Sequence, residues 1–339
     1  PKRAPTLKEE HEDTQETLER IQIELDNINS SIISIGRKLF PDDWKSITPH
    51  LINAYSWVGY DIDGRTDISW GDALRLRLQE KRDQLYRYKK SVSNISDKYE
   101  KSLQENNHLD ELLKKLSDAH ESAERDLTLF EKDITNPENL VAAANNLTRT
   151  STRRFLNLKS PIKLINKILE HNEIFELNRD LICLRSKMVA FGLGTARIHF
   201  RLNNQHVVSA LKSTFGIADH TSDKRTLLLR ASKLTKNVKV QPVNFGSLAL
   251  EKSTAHEKMI LTAQIHKYID DETPIRLLIA ECEDSLTPMG MLYLAKRYGI
   301  DFSISVNREF INEAHRKQII RQIEKIDMPF IRIGCSGDP

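Results

Sequence analysis

Phe191-Gly192-Leu193-Gly194-Thr195-Ala196-Arg197-Ile198-His199-Phe200-Arg201 is where the chain changes character. Between Thr195 and Leu202 period-two strand geometry places Arg197, His199 and Arg201 on one face, and Ile198, Phe200 and Leu202 on the other. A row of basic groups on one face of a barrel strand is an anion-binding arrangement, in which arginine grips phosphate or carboxylate through two parallel hydrogen bonds. An edge strand with a wet face produces the same pattern, and both readings stand. Gly192-x-Gly194 lacks the third glycine and the following helix of a dinucleotide fingerprint.

Upstream of this point the sequence reads as helix. Leu18, Ile21, Leu25, Ile28, Ile32, Ile35 and Leu39 recur at alternating steps of three and four, a heptad seam. A second seam carries Leu109, Leu112, Leu116, Ala119, Ala123, Leu127 and Phe130, and Asn136-Pro137 ends it because the residue before proline is biased away from helix. Two seams suit either a dimeric coiled coil or, the favoured reading, long helices packed within one subunit. Residues 70–93 and 161–190 predict further helices. Downstream, short apolar or alternating runs at Ile275–Ala280, Phe302–Val306 and Phe330–Ile333 alternate with helical stretches at Met289–Tyr298 and Phe310–Ile326. That order predicts parallel βα units too few to close a sheet. The expected architecture is therefore mainly α, with long packed helices over 1–190 followed by an incomplete α/β, TIM-like barrel portion over 191–339.

Composition narrows the function classes. Charged residues are 29% of the chain, and no stretch approaches the roughly 18 uncharged apolar residues of a membrane span. The first residues, Pro1-Lys2-Arg3-Ala4-Pro5-Thr6, have no apolar core of a signal peptide. The 51 basic and 48 acidic side chains are interleaved along the helices rather than gathered in a patch, which argues against a nucleic-acid partner. Cys183, Cys282 and Cys335 are few and widely spaced, forming neither a disulfide framework nor a CxxC site, as in a reducing cytoplasm. The absence of an initiator Met and a stop directly after an apolar run read as an internal piece of a longer chain.

Two further segments hold candidate chemistry. Ser56-Trp57-Val58-Gly59-Tyr60-Asp61-Ile62-Asp63-Gly64-Arg65-Thr66-Asp67 is a turn dense in carboxylates. It has the outward look of a calcium loop but lacks the glutamate that closes one. The plain alternative is a turn at Gly64 with aspartates bonded to backbone amides. Arg276 to Ser285 places Glu281, Glu283 and Asp284 at the carboxyl end of a predicted strand, where barrel enzymes keep their chemistry. Ser285 reads as a helix cap, and Glu281 is open between the two roles. None of the 11 His residues pairs with Ser or Cys at a nucleophilic spacing.

Together these segments resemble the phosphoenolpyruvate carboxylase family. Residues 56–65 are similar to its Ser-Trp-x-Gly-Gly-Asp-x-Asp-Gly-Asn signature, with Tyr60 and Arg65 as variants. Phe191–Arg201 resembles its Phe-Gly-Leu…Asp-Ile-Arg strand, and Ile279–Ile300, with Leu294-Ala295-Lys296-Arg297, aligns without gaps to a stretch ending in a Leu-Ala-Lys helix. Arg3–Glu10 resembles an upstream Arg-Pro-Thr segment. The resemblance implies a cytoplasmic homo-oligomer that joins phosphoenolpyruvate and bicarbonate to give oxaloacetate and phosphate, with Mg2+ or Mn2+. It implies a catalytic, phosphate-side Arg201 and substrate-side Asp61, Asp63 and Gly64. The family's two metal carboxylates align with Asn307 and Gly337, leaving Asp338, one place late, as the candidate metal residue. The family's histidine motif and its glycine-rich loop are not found, so the chain alone is expected to be inactive. A non-catalytic, carboxylase-like helical interaction protein is the alternative.

Overall fold

The computed structural model describes residues 3–62, 65, 67–100, 107–217, 223–282 and 285–300, together with the backbone of 303–307 and 331–334. The chain is mainly helical, with a small parallel sheet. It divides into two compact units. One comprises Pro1–Val58, Leu74–Arg197 and Lys267–Thr273, the other Gly59–Ala73, Ile198–His266 and Pro274–Pro339. The sequence predicts successive regions over 1–190 and 191–339; the two units instead interleave, and the motif segment from Gly59 onward belongs to the second.

The first unit begins with α1 (Leu7–Leu39), whose start is fixed by reciprocal capping. Thr6 Oγ1 accepts the Glu9 amide, and the Glu9 carboxylate accepts the Thr6 amide. After β1 (Tyr55–Ser56) come α2 (Trp70–Tyr99), which enters this unit at Leu74, then α3 (Asn107–Phe130), α4 (Pro137–Thr148), α5 (Lys159–His171) and α6 (Phe175–Phe191). The α3 seam behaves as the intrasubunit reading predicts: Leu109, Leu112, Leu116, Ala119, Ala123, Leu127 and Phe130 are all buried. The helix stops at Phe130, short of Asn136-Pro137, which instead opens the next one. Asn136 Oδ1 accepts the Glu138 amide, and Pro137, with no amide to satisfy, opens α4. The α1 seam is different. The helix buries His11, Leu18, Gln22, Asn29, Ile33 and Gly36, a face rotated from the heptad positions.

Between these helices lies a set of buried charges. Arg77, on α2, donates from Nη2 to Asp270 Oδ2 at 2.6 Å and from Nη1 to the Ala196 carbonyl at 3.2 Å and Glu80 Oε2 at 3.3 Å. One turn further on, Lys81 Nζ donates to the carbonyls of Phe155 and Ile269, both at 2.6 Å. Gly192 and Gly194 make room for this packing. A Cβ on Gly194 would lie 1.8 Å from Arg77 Nη1, and one on Gly192, whose φ is +62°, would lie 2.2 Å from Thr273 Oγ1. The Gly-x-Gly pair is thus explained by close approach to side chains.

The second unit holds β2 (Arg197–Asn203) from Ile198 on, α7 (Asn204–Phe215), α8 (Lys224–Thr235), α9 (Phe245–Leu250), α10 (Thr254–Tyr268) up to His266, β3 (Arg276–Ala280), α11 (Leu286–Tyr298), β4 (Ser303–Asn307) and β5 (Ile331–Gly334). The strands β2 to β5 pair in parallel in chain order, with Phe200 opposite Leu277, Leu277 opposite Ile304 and Ile304 opposite Ile331. Helices intervene between β2 and β3 and between β3 and β4, as parallel connections require. The predicted helix Phe310–Ile326 lies outside the described residues. Among the described residues no helix is long and apolar enough to cross a membrane.

Two expectations follow for the first unit. Asp270→Asn removes the closer of the two carboxylates on the buried Arg77 guanidinium and leaves Glu80, at 3.3 Å, as the other, and chemical denaturation should show a loss of up to about 3–5 kcal/mol. Burial pushes the Lys81 amine down to about 7, against a Coulombic pull upward from Asp270 and Asp126. Between about 7 and its ordinary 10.5 the unfolded chain therefore holds a proton that the folded chain does not. Stability contributed by this group should rise with pH across that window, and Lys81→Met should flatten the rise in urea midpoints measured from about pH 7 to about 9.

Candidate functional site

The site is built where the motif segment runs beside β2. Gly59, at φ +84°, turns the chain into it. Tyr60 is fully buried, its ring edge-on to that of Phe200 with centroids 5.1 Å apart. The two segments then exchange backbone hydrogen bonds in a parallel bridge. The Arg201 amide donates to the Tyr60 carbonyl at 3.0 Å, and the Ile62 amide donates to the Arg201 carbonyl at 3.1 Å. That register sets Asp61 beside Arg201, and Arg201 Nη1 donates to Asp61 Oδ2 at 3.0 Å. Both side chains are half-buried. Residues 140 apart in sequence are thereby brought into one ion pair.

The expected alternation along β2 is observed. Ile198, Phe200 and Leu202 are buried, while Arg197, His199, Arg201 and Asn203 are half-buried. On β3, Arg276 stands in register with His199, Leu278 with Arg201 and Ala280 with Asn203. Burial, followed by the positive charges of Arg276 and Arg201, holds the His199 imidazole below its ordinary 6.5, and only the Asp61 carboxylate opposes this. The face is cationic around His199. Arg197, by contrast, donates from Nε to the Ala190 carbonyl at 3.4 Å and lies over the Tyr55 ring.

At the carboxyl end of the same strands sequence reasoning missed a contact. Asn203 Oδ1 accepts the Gln205 amide and caps α7, while its Nδ2 donates to Glu281 Oε2 at 2.9 Å. Glu281 has φ +54°, a left-handed conformation that a β-carbon makes costly, by about 1–3 kcal/mol. Glu281 is thus a strand-end carboxylate held by its neighbouring strand. Ser285 occupies the cap position of α11 but its side chain makes no capping bond. In the carboxylate-rich turn Asp67 accepts from Arg65 Nε at 2.9 Å and Nη2 at 2.6 Å, as Asp61 does from Arg201; beyond the turn, Asp72 Oδ2 accepts the Ser69 amide and Ser69 Oγ accepts the Asp72 amide, a reciprocal cap at the start of α2.

Asp63, Gly64 and Asp338 lie outside the described residues, as do Glu283 and Asp284. Among the described residues no three His, Cys, Asp or Glu side chains converge as a metal site. No protein-family model matches the chain, and no curated protein matches it.

The electrostatics of this face lead to one expectation. In an NMR titration His199 should deprotonate below its ordinary value, and Asp61→Asn should lower its midpoint further, because the one opposing negative charge is removed. A midpoint that rises in Asp61→Asn would contradict the geometry.

Proposed function

We propose that the chain is part of a phosphoenolpyruvate carboxylase-like enzyme, its parallel strands a portion of a TIM-like barrel and Arg201 its contact to the substrate's phosphate. The observation that carries this reading is the meeting of Asp61 with Arg201. The two segments that resemble the family's signature and its Arg-containing strand, remote in sequence, lie side by side in one register. A guanidinium held by a carboxylate keeps a fixed plane, so its orientation is set before an anion arrives. Phosphoenolpyruvate and bicarbonate would be the substrates, and a cytoplasmic homo-oligomer the complete form.

The Mg2+ or Mn2+ that the resemblance implies finds no ligand set among the described residues. Asn307, at the position where the family carries one metal carboxylate, is an amide standing in register with Gly334. The same two facts, with the Arg201 charge already answered by Asp61, favour a second reading: a carboxylase-like protein that has lost catalysis and acts through its helices.

The test is binding of phosphoenolpyruvate by calorimetry. Arg201→Ala should weaken it roughly tenfold to hundredfold, the loss of a hydrogen bond to a charged group. Arg201→Lys should recover little, because an ammonium offers a point charge in place of two parallel donors. Arg197→Ala, whose guanidinium is engaged elsewhere, is the control. Equal small effects at both arginines would make Arg201 a surface ion pair and remove the assignment.

A further inference from the structure

The α1 seam is the one sequence motif that neither the fold nor the site absorbs. With Leu18 at heptad position a, Ile21, Ile28 and Ile35 fall at d and Leu25, Ile32 and Leu39 at a. The intrasubunit reading predicts all of them buried. Instead Ile28 is 46% exposed, Ile35 56% and Leu39 65%, while the helix packs on its other face. Phe40, Leu51 and Ile52 are exposed too, and Leu51 and Ile52 line a small pocket together with Leu25 and Asn29 of α1. Phe40, Leu51 and Ile52 thus widen the apolar strip beyond α1 itself. Such a strip is a binding surface.

We propose that it pairs with the same strip on a second copy of this chain, with the two α1 helices antiparallel. The charges along the helix choose this occupant and this direction. Beside the exposed strip the flanking charged residues are Glu24 toward one end and Lys38 toward the other. A parallel pair keeps the two Glu24 side chains at one level and the two Lys38 side chains at another; an antiparallel pair brings each Glu24 level with a Lys38. The flanking g positions are Glu24, Ser31 and Lys38, all exposed. Antiparallel stacking of a against d layers places Ile28 against Ile32 of the second copy and Leu25 against its Ile35. The two-fold axis then falls beside Ser31, whose small side chain permits close approach, and each Glu24 meets the other copy's Lys38. Among the described residues neither Glu24 nor Lys38 forms an ion pair within its own chain. The seam is therefore complementary to itself in shape and in charge.

Sedimentation velocity across a dilution series tests this. The chain should sediment as a dimer that dissociates on dilution. Ile35→Glu, at an exposed site, should give a monomer with an unchanged circular dichroism spectrum. Lys38→Glu should weaken dimerisation by about twofold to thirtyfold, from two symmetric surface ion pairs. Adding Glu24→Lys to Lys38→Glu should restore it. A monomer at every concentration, a dimer indifferent to Ile35→Glu, or a charge swap that fails to restore affinity would each overturn the proposal.

Discussion

Arg77 is a permanent cation with no access to water, and the first unit is arranged around satisfying it. Desolvating a guanidinium costs several kcal/mol, which only a well-placed carboxylate with further hydrogen bonds offsets. Asp270 supplies the carboxylate, and its own position is fixed by the amide of Thr273, which donates to Asp270 Oδ1 at 3.0 Å. Burial alone would raise the Asp270 carboxyl; Arg77 and Thr273 outweigh it and hold the group below its ordinary value. Because the partners of Arg77 and Lys81 lie near residues 155, 196 and 270, the pairing draws three remote stretches of chain against α2. Glycine at 192 and 194 is the local condition for that approach. In the second unit, by contrast, Phe200, Leu277, Ile304 and Ile331 stand in backbone register across four parallel strands.

Much of this was legible in sequence, for definite reasons. The α3 seam and the alternation of β2 are each set by a period of apolar residues, and burial follows that period directly. The strand at 276–280 was readable as a short apolar run bounded by polar residues. The helices α7 to α10 were not read. Met259, Ile260, Leu261 and Ile265 on α10 are buried alongside Lys258, Thr262 and Gln264, so that helix has no polar face for a period to reveal. The seam of α1 misled in the other direction: its heptad is real, but packing chose His11, Leu18, Gln22, Asn29, Ile33 and Gly36. Polar residues on the buried face hid the true contact.

The candidate site shows the same division. That Arg201 and His199 share a face follows from strand geometry alone, and the sequence carried it. That Asp61 answers Arg201 required a long-range parallel bridge that no local pattern announces. Glu281 was visible as an acid at a strand end, but its left-handed backbone and its bond to Asn203 were not. The signal available was weak: an asparagine at one strand end and a glutamate at the next, in adjacent parallel strands. Cationic character lies toward His199 and Arg276, and carboxylates lie toward the carboxyl ends at Asp61 and Glu281. A ligand on this face would meet both signs of charge along its length.

The distance in sequence between Arg77 and Asp270 has a consequence for synthesis. The two residues are 193 positions apart, and Lys81 waits for the Ile269 carbonyl from the same late stretch. At roughly 5–20 residues per second, a ribosome emits the arginine about ten to forty seconds before its carboxylate. Until then Arg77 has only Glu80 of its own helix as a carboxylate partner and Lys81 lacks the Ile269 carbonyl, and the desolvation cost opposes closing the first unit around them. Much of the second unit is translated inside that interval. The order in which the chain emerges thus delays the earliest helices and makes the short segment Lys267–Thr273 the step that completes their packing.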